Sequence, residues 1–252
     1  MNDTVAQTAP DTAASRISVA LQAAVAPTAP ADRTAAWHLA ELLAADWSER
    51  PLIPADGYTD TDLDAAASRL GHPLPAALRE ALKLFGRRDD LTRNQDPLAA
   101  PEDLDTYEGA LIYREENQGV CAWGIKLEDL DQDDPPTYLR PDLADKSEEE
   151  WLPWTDKLSL ALVEALITET IIGNDGDEDL TAASEPGDEA PEATGLTALP
   201  RIQPDWYKTS WYVGDDVLAH VAAGAWISVR ARSREALLAY TGGDDDEDDQ
   251  PT

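Results

Sequence analysis

Large apolar residues are sparse before Asp32 and recur at regular spacing after it. Residues 1–31 are rich in Ala, Thr and Pro, with Pro10, Pro27 and Pro30, and such a composition buries too little apolar surface to offset the entropy of ordering. The pattern predicts a disordered tail over 1–31, with Arg16 to Ala26 as a marginal helix. Leu39, Leu43 and Trp47 then share one helical face, and that helix ends before Pro51. Thr59 followed by Asp62 reads as a reciprocal cap. It opens a helix with Leu63, Ala66, Ala67 and Leu70 on one side and Gly71 at its end. Pro75 suits the first turn of the next helix, where Leu74, Leu78, Leu82 and Phe85 form the apolar stripe up to Gly86. Arg87 to Asp105 is a polar connector, in which Arg87 and Arg88 are expected to bond nearby carboxylates or helix carbonyls.

The period then changes to two. Leu111 to Tyr113 and Val120 to Leu127 are β-prone runs separated by Asn117-Gln118-Gly119, residues that reverse a chain without a Cβ clash, so an antiparallel hairpin is predicted. Cys121, Trp123, Ile125 and Leu127 fall on its buried face and Lys126 on the other. Pro135 and Pro136 interrupt the ladder. Thr155 is placed to cap a helix running to about Ile172 that is apolar on nearly every side, which calls for cover all round.

Residues 174–196 are acidic and free of Lys and Arg, and read as a flexible insert within the domain. β-type sequence resumes at 206–213, 217–222 and 226–231, and Ser233 caps a short final helix. Trp206 and Trp211 are five apart, on opposite faces of a regular strand, so one of them is expected to be exposed. An acidic tail occupies 242–252. The expected architecture is α+β: one domain over 32–241, with N-terminal helices and a mainly antiparallel sheet drawn from two segments. The long helix lies across that sheet.

Glu116-Asn117-Gln118-Gly119, the pair Trp123-Gly124, and Asp134-Pro135-Pro136-Thr137-Tyr138 occur in that order within a short span. Together they resemble the SUKH superfamily of Smi/Knr-type domains, and Leu70-Gly71-His72-Pro73-Leu74-Pro75 resembles the opening of such domains. The resemblance implies a non-catalytic protein-binding module. Most bacterial members are immunity proteins that neutralise toxin domains, whereas the fungal relatives imply a regulatory or scaffolding role without a toxin.

Charge narrows the partners. With 51 acidic and 19 basic side chains the net charge is −32, which repels nucleic-acid phosphates and anionic lipid while steering in a basic protein such as a toxin domain. Solubility explains the same acidity, and both readings stand. Ten acids between Glu128 and Glu150 face only Arg140 and Lys146, and Glu128, Asp129, Asp131 and Asp133 are the candidate partner-binding residues. The single cysteine, Cys121, excludes an internal disulfide and reads as a packed thiol. His38, His72 and His220 lie in no ligand spacing, and no nucleophile elbow or phosphate-binding loop is present. No catalytic residue, metal or cofactor is therefore expected. Without a secretory signal or an apolar span the expected location is cytoplasmic. Composition leaves the oligomeric state open.

Overall fold

The computed structural model of the chain describes residues 12–26, 32–173, 180–184, 195–222 and 226–242. The N-terminal helices are α1 (Ala13–Val25), α2 (Thr34–Trp47), α3 (Asp60–Leu70), α4 (Ala76–Phe85) and α5 (Asp89–Thr92). α3 has the reciprocal cap its sequence calls for. The Asp62 amide donates to the Thr59 hydroxyl at 3.3 Å, and the Thr59 amide donates to the Asp62 carboxylate at 2.8 Å. Gly71 closes it in the left-handed region at φ 70°.

In the N-terminal tail the helix expected at Arg16 to Ala26 forms as α1, but it is packed into the core where the tail was expected to be mostly disordered. Thr12 caps α1, and Ile17 and Leu21 are fully buried against α2, so the helix is held by tertiary packing more than by its own propensity. Residues 1–11 and 27–31 lie outside the described residues.

Five strands follow: β1 (Asp105–Tyr107), β2 (Ala110–Glu115), β3 (Cys121–Lys126), β4 (Thr137–Pro141) and β5 (Leu152–Thr155), paired in chain order as an antiparallel meander. Next come α6 (Leu158–Ile172), β6 (Thr181–Ser184), β7 (Thr197–Ala198), β8 (Ser210–Val213), β9 (Val217–Ala222), β10 (Trp226–Ala231) and α7 (Arg234–Thr241). The last five strands form a second antiparallel sheet in the order β6-β10-β9-β8-β7.

The α+β class with antiparallel strands is what forms, but the two segments build two sheets where a single joint sheet was expected. The reason is α6. It packs on β5 of the first sheet, on β9 and β10 of the second, and on α2, α4 and α5, so its all-round apolar surface is covered from three directions. One stretch of the insert, expected to be flexible, is a strand. Thr181–Ser184 pairs with β10 in the register Ile227↔Ser184, because Thr-Ala-Ala-Ser is a short neutral run between acids. The expectations for 174–179, 185–194 and 243–252 lie outside the described residues. One core cluster runs from Ile17 through α6 to Leu218, and a smaller one gathers Tyr212, Val217, Ile227, Val229 and Leu237 near α7.

Candidate functional site

The β2–β3 hairpin forms as the alternation predicts, and its turn is organised by Glu116. That carboxylate accepts the amides of Gln118 at 2.7 Å and Val120 at 3.2 Å, while the Gly119 amide donates to the Glu116 carbonyl. Gly119 has φ 74°, and Asn117, Gln118 and Gly119 are exposed. Trp123 and Ile125 point into the core as expected. Gly124 faces the other way and is required there. A Cβ would sit 2.9 Å from the ring of Trp151, whose indole N–H donates to the Glu108 carbonyl.

The segment after β3 joins two helix ends. The Asp133 carbonyl accepts the Ala77 amide in the first turn of α4 at 2.9 Å. Asp134 accepts the Ser159 amide at 2.7 Å and its hydroxyl at 2.6 Å, which makes it the cap of α6. Thr155, expected in that role, is instead the last residue of β5. Its hydroxyl lies 2.8 Å from that of Thr137 and donates to the Lys157 carbonyl. Pro135 is buried, and Lys126 lies 4.2 Å over the ring of Tyr138. Every residue quoted for the resemblance from Glu116 to Tyr138 thus sits at the hairpin turn or in the framework around it.

Behind the hairpin lies a cluster that the hydrophobic pattern did not reveal. A register shift between Ile112 and Arg114 turns Arg114 inward, where it is 2% exposed. Its guanidinium meets Glu164 at 3.1 Å, Asp96 at 3.3 Å and Glu169 at 3.5 Å, and stacks over Trp123 at 4.4 Å. Glu169 also accepts the amides of Asn94, Gln95 and Asp96, which fixes the connector onto α6. Three carboxylates around one cation leave excess negative charge in a buried site. Burial pushes the carboxyls of Asp96 and Glu164 above their ordinary range, with Arg114 opposing it. The Cys121 thiol is pushed up to about 12 by burial and the nearby carboxylates, which leaves it a packed, unreactive group at neutral pH. The signal was in the sequence: two glutamates inside an otherwise apolar helix need a buried cation.

The outer face of the first sheet carries two grooves that meet at Tyr107 and Glu115. One, of about 290 Å³, runs past Gly119, Cys121, Ala122, Arg140, Asp142 and Glu149. Its charges are largely paired internally, since Arg140 meets Glu149 at 3.2 Å and Lys146 meets both Asp142 and Glu149. The other, of about 440 Å³, lies where β1 and the Pro97–Ala99 segment share β2 as neighbour. Of the candidate partner-binding acids, Glu128, Asp131 and Asp133 are exposed, and Asp129 is half-buried and holds Gln132 at 2.8 Å. These four stand on the loop leaving β3, away from the residues lining both grooves.

His38 and Glu41 form a surface pair, and His220 is buried, stacked on Trp211 and lowered to about 4 by desolvation. Trp211 is fully buried, whereas Trp206 is exposed in a short helical turn where a strand was expected. Among the described residues no group of three His, Cys, Asp or Glu side chains could hold a metal ion, and no helix is long and apolar enough to cross a membrane. No family model, no curated protein and no solved structure matches the chain.

Proposed function

We propose that this chain is a non-catalytic protein-binding module of the SUKH, Smi/Knr type that neutralises a basic toxin domain by occupying its surface. The observation that carries the reading is the outer face of the first sheet: grooved, centred on an exposed tyrosine, rimmed by acids, and braced from behind by the Arg114 cluster and α6. A rigid face of that kind loses little entropy on binding, and the negative field raises the rate at which a cationic partner arrives. The sequence resemblance adds associational support, since a fold does not fix a function.

Co-expression with a toxin encoded beside the gene tests it. Rescue of growth together with a co-purifying stoichiometric complex is the expected result. A toxin that kills at the same rate with or without the chain, and leaves no complex, contradicts it. A growth defect on deleting the gene from a strain that lacks any such toxin favours the regulatory role of the fungal relatives instead.

A further inference from the structure

We infer that the groove beside β1 is a receptor for a lysine or arginine side chain presented on an extended segment of a protein partner. This rests on the reading above and names the contact. The floor of the groove is apolar, formed by the buried Leu98 and Ile112 with Ala99, and its rim carries Asp103, Asp105 and Glu115 beside the exposed ring of Tyr107. Long cationic side chains lay their methylenes on apolar surface and keep their charged ends among polar groups, and this groove offers both at that scale.

The two neighbouring grooves differ in charge balance. In the first, Glu149 and Asp142 are already matched by Arg140 and Lys146. In the second the only lining cation among the described residues is Arg93, which is 3.6 Å from Asp89 and 3.9 Å from Asp103. Asp105 accepts only a neighbouring amide in its own strand, from Thr106, and Glu115 has no ion-pair partner among the described residues. A cation from outside therefore completes this groove and not its neighbour. Tyr107 has already drawn one guanidinium, that of Arg140, which lies 5.6 Å over its ring from the first groove.

Isothermal titration of the full chain with a capped pentapeptide, one arginine flanked by serines, at physiological salt is the test. The same peptide with citrulline in place of arginine is the neutral control. Binding of the arginine peptide is expected, weakened about 10-fold or more by Glu115→Gln and by Tyr107→Ala. The doubly substituted loop variant, Glu128→Gln with Asp131→Asn, binds as the unaltered chain does. Glu115 and Tyr107 are exposed, so both variants fold, and unchanged circular dichroism confirms it. Equal affinity across all variants means diffuse attraction to a negative molecule and overturns the inference, as does absence of binding at millimolar peptide. The titration needs no partner, so it separates the two readings. A groove that ignores arginine in a chain that still captures its toxin sinks only the groove. A groove that binds arginine in a chain with no partner sinks only the proposed role.

Discussion

The two sheets have the same number of strands and the same antiparallel pairing, yet they are covered differently. The second has α6 against one face, where Trp211, Val213 and Leu218 join the main core. It has α7 against the other, over the cluster of Tyr212, Val217, Ile227 and Val229. The first sheet buries Leu111, Tyr113, Trp123, Ile125 and Leu139 on its inner face, but its outer face carries grooves and exposed side chains. A sheet covered on both faces is committed to stability. Among the described residues no helix packs over the outer face of the first sheet, and its buried charge cluster holds the hairpin, connector and central helix in one fixed arrangement.

The sharpest way to break this contrast is to attack the brace. Arg114→Met leaves Asp96, Glu164 and Glu169 buried without their cation, and removing one partner of a buried ionic group costs about 3–5 kcal/mol. Urea denaturation should show that loss, and a change under about 1 kcal/mol would mean the cluster is dispensable. Gly124→Ala forces a methyl against Trp151 and the Ala110 side chain, and overpacking of this kind costs about 1–3 kcal/mol. Its thermal midpoint should fall, whereas alanine at the exposed Gly119 strains only the turn. Asp134→Ala removes the cap of α6, which costs about 0.5–2 kcal/mol, and Asp134→Asn should recover most of it.

Protons distinguish the brace from the ordinary ion pairs. Asp96 and Glu164 sit above their ordinary range, so the folded chain binds their protons more tightly than the unfolded chain does. Their contribution is full below the ordinary carboxylate range and is lost as pH rises through the raised values. Asp56 has the opposite sign. Arg50 lowers it to about 2, so its contribution is present above the ordinary range and is lost as pH falls toward 2. Stability measured in urea between pH 2 and 7 should show a shallower high-pH decline in Asp96→Asn, where Glu164 still contributes, and a shallower low-pH decline in Asp56→Asn, where the other lowered carboxyls still contribute. The smallest effect is expected on the loop after β3. Glu128→Gln with Asp131→Asn should change stability by no more than about 0.5 kcal/mol, because both side chains are exposed and surface substitutions of this kind contribute little.

Local elements were legible where one periodicity dominated. The Thr59 cap, the Ser233 cap, the hairpin reversal at Gly119 and the inward Trp123 all follow from short-range chemistry visible in the chain. What escaped depends on contacts distant in sequence. Asp134 caps a helix 25 residues away, Arg114 turns inward through a shift in strand register, and the division into two sheets is imposed by α6 between them. Of the proposed site, the hairpin was legible from its turn residues; the acids chosen by density, Glu128 to Asp133, stand on the loop after β3, and the grooves lined by Tyr107 and Glu115 were not legible because they form only where β1 and the Pro97–Ala99 segment meet β2.

That the outer face of the first sheet holds a protein is tested most directly by amide hydrogen exchange on the full chain, with and without a toxin domain encoded beside its gene. The account predicts slowed exchange at residues 105–107, 115 and 119–122, with the second sheet and α7 unchanged. Slowing confined to β6–β10 or to α7 would contradict it.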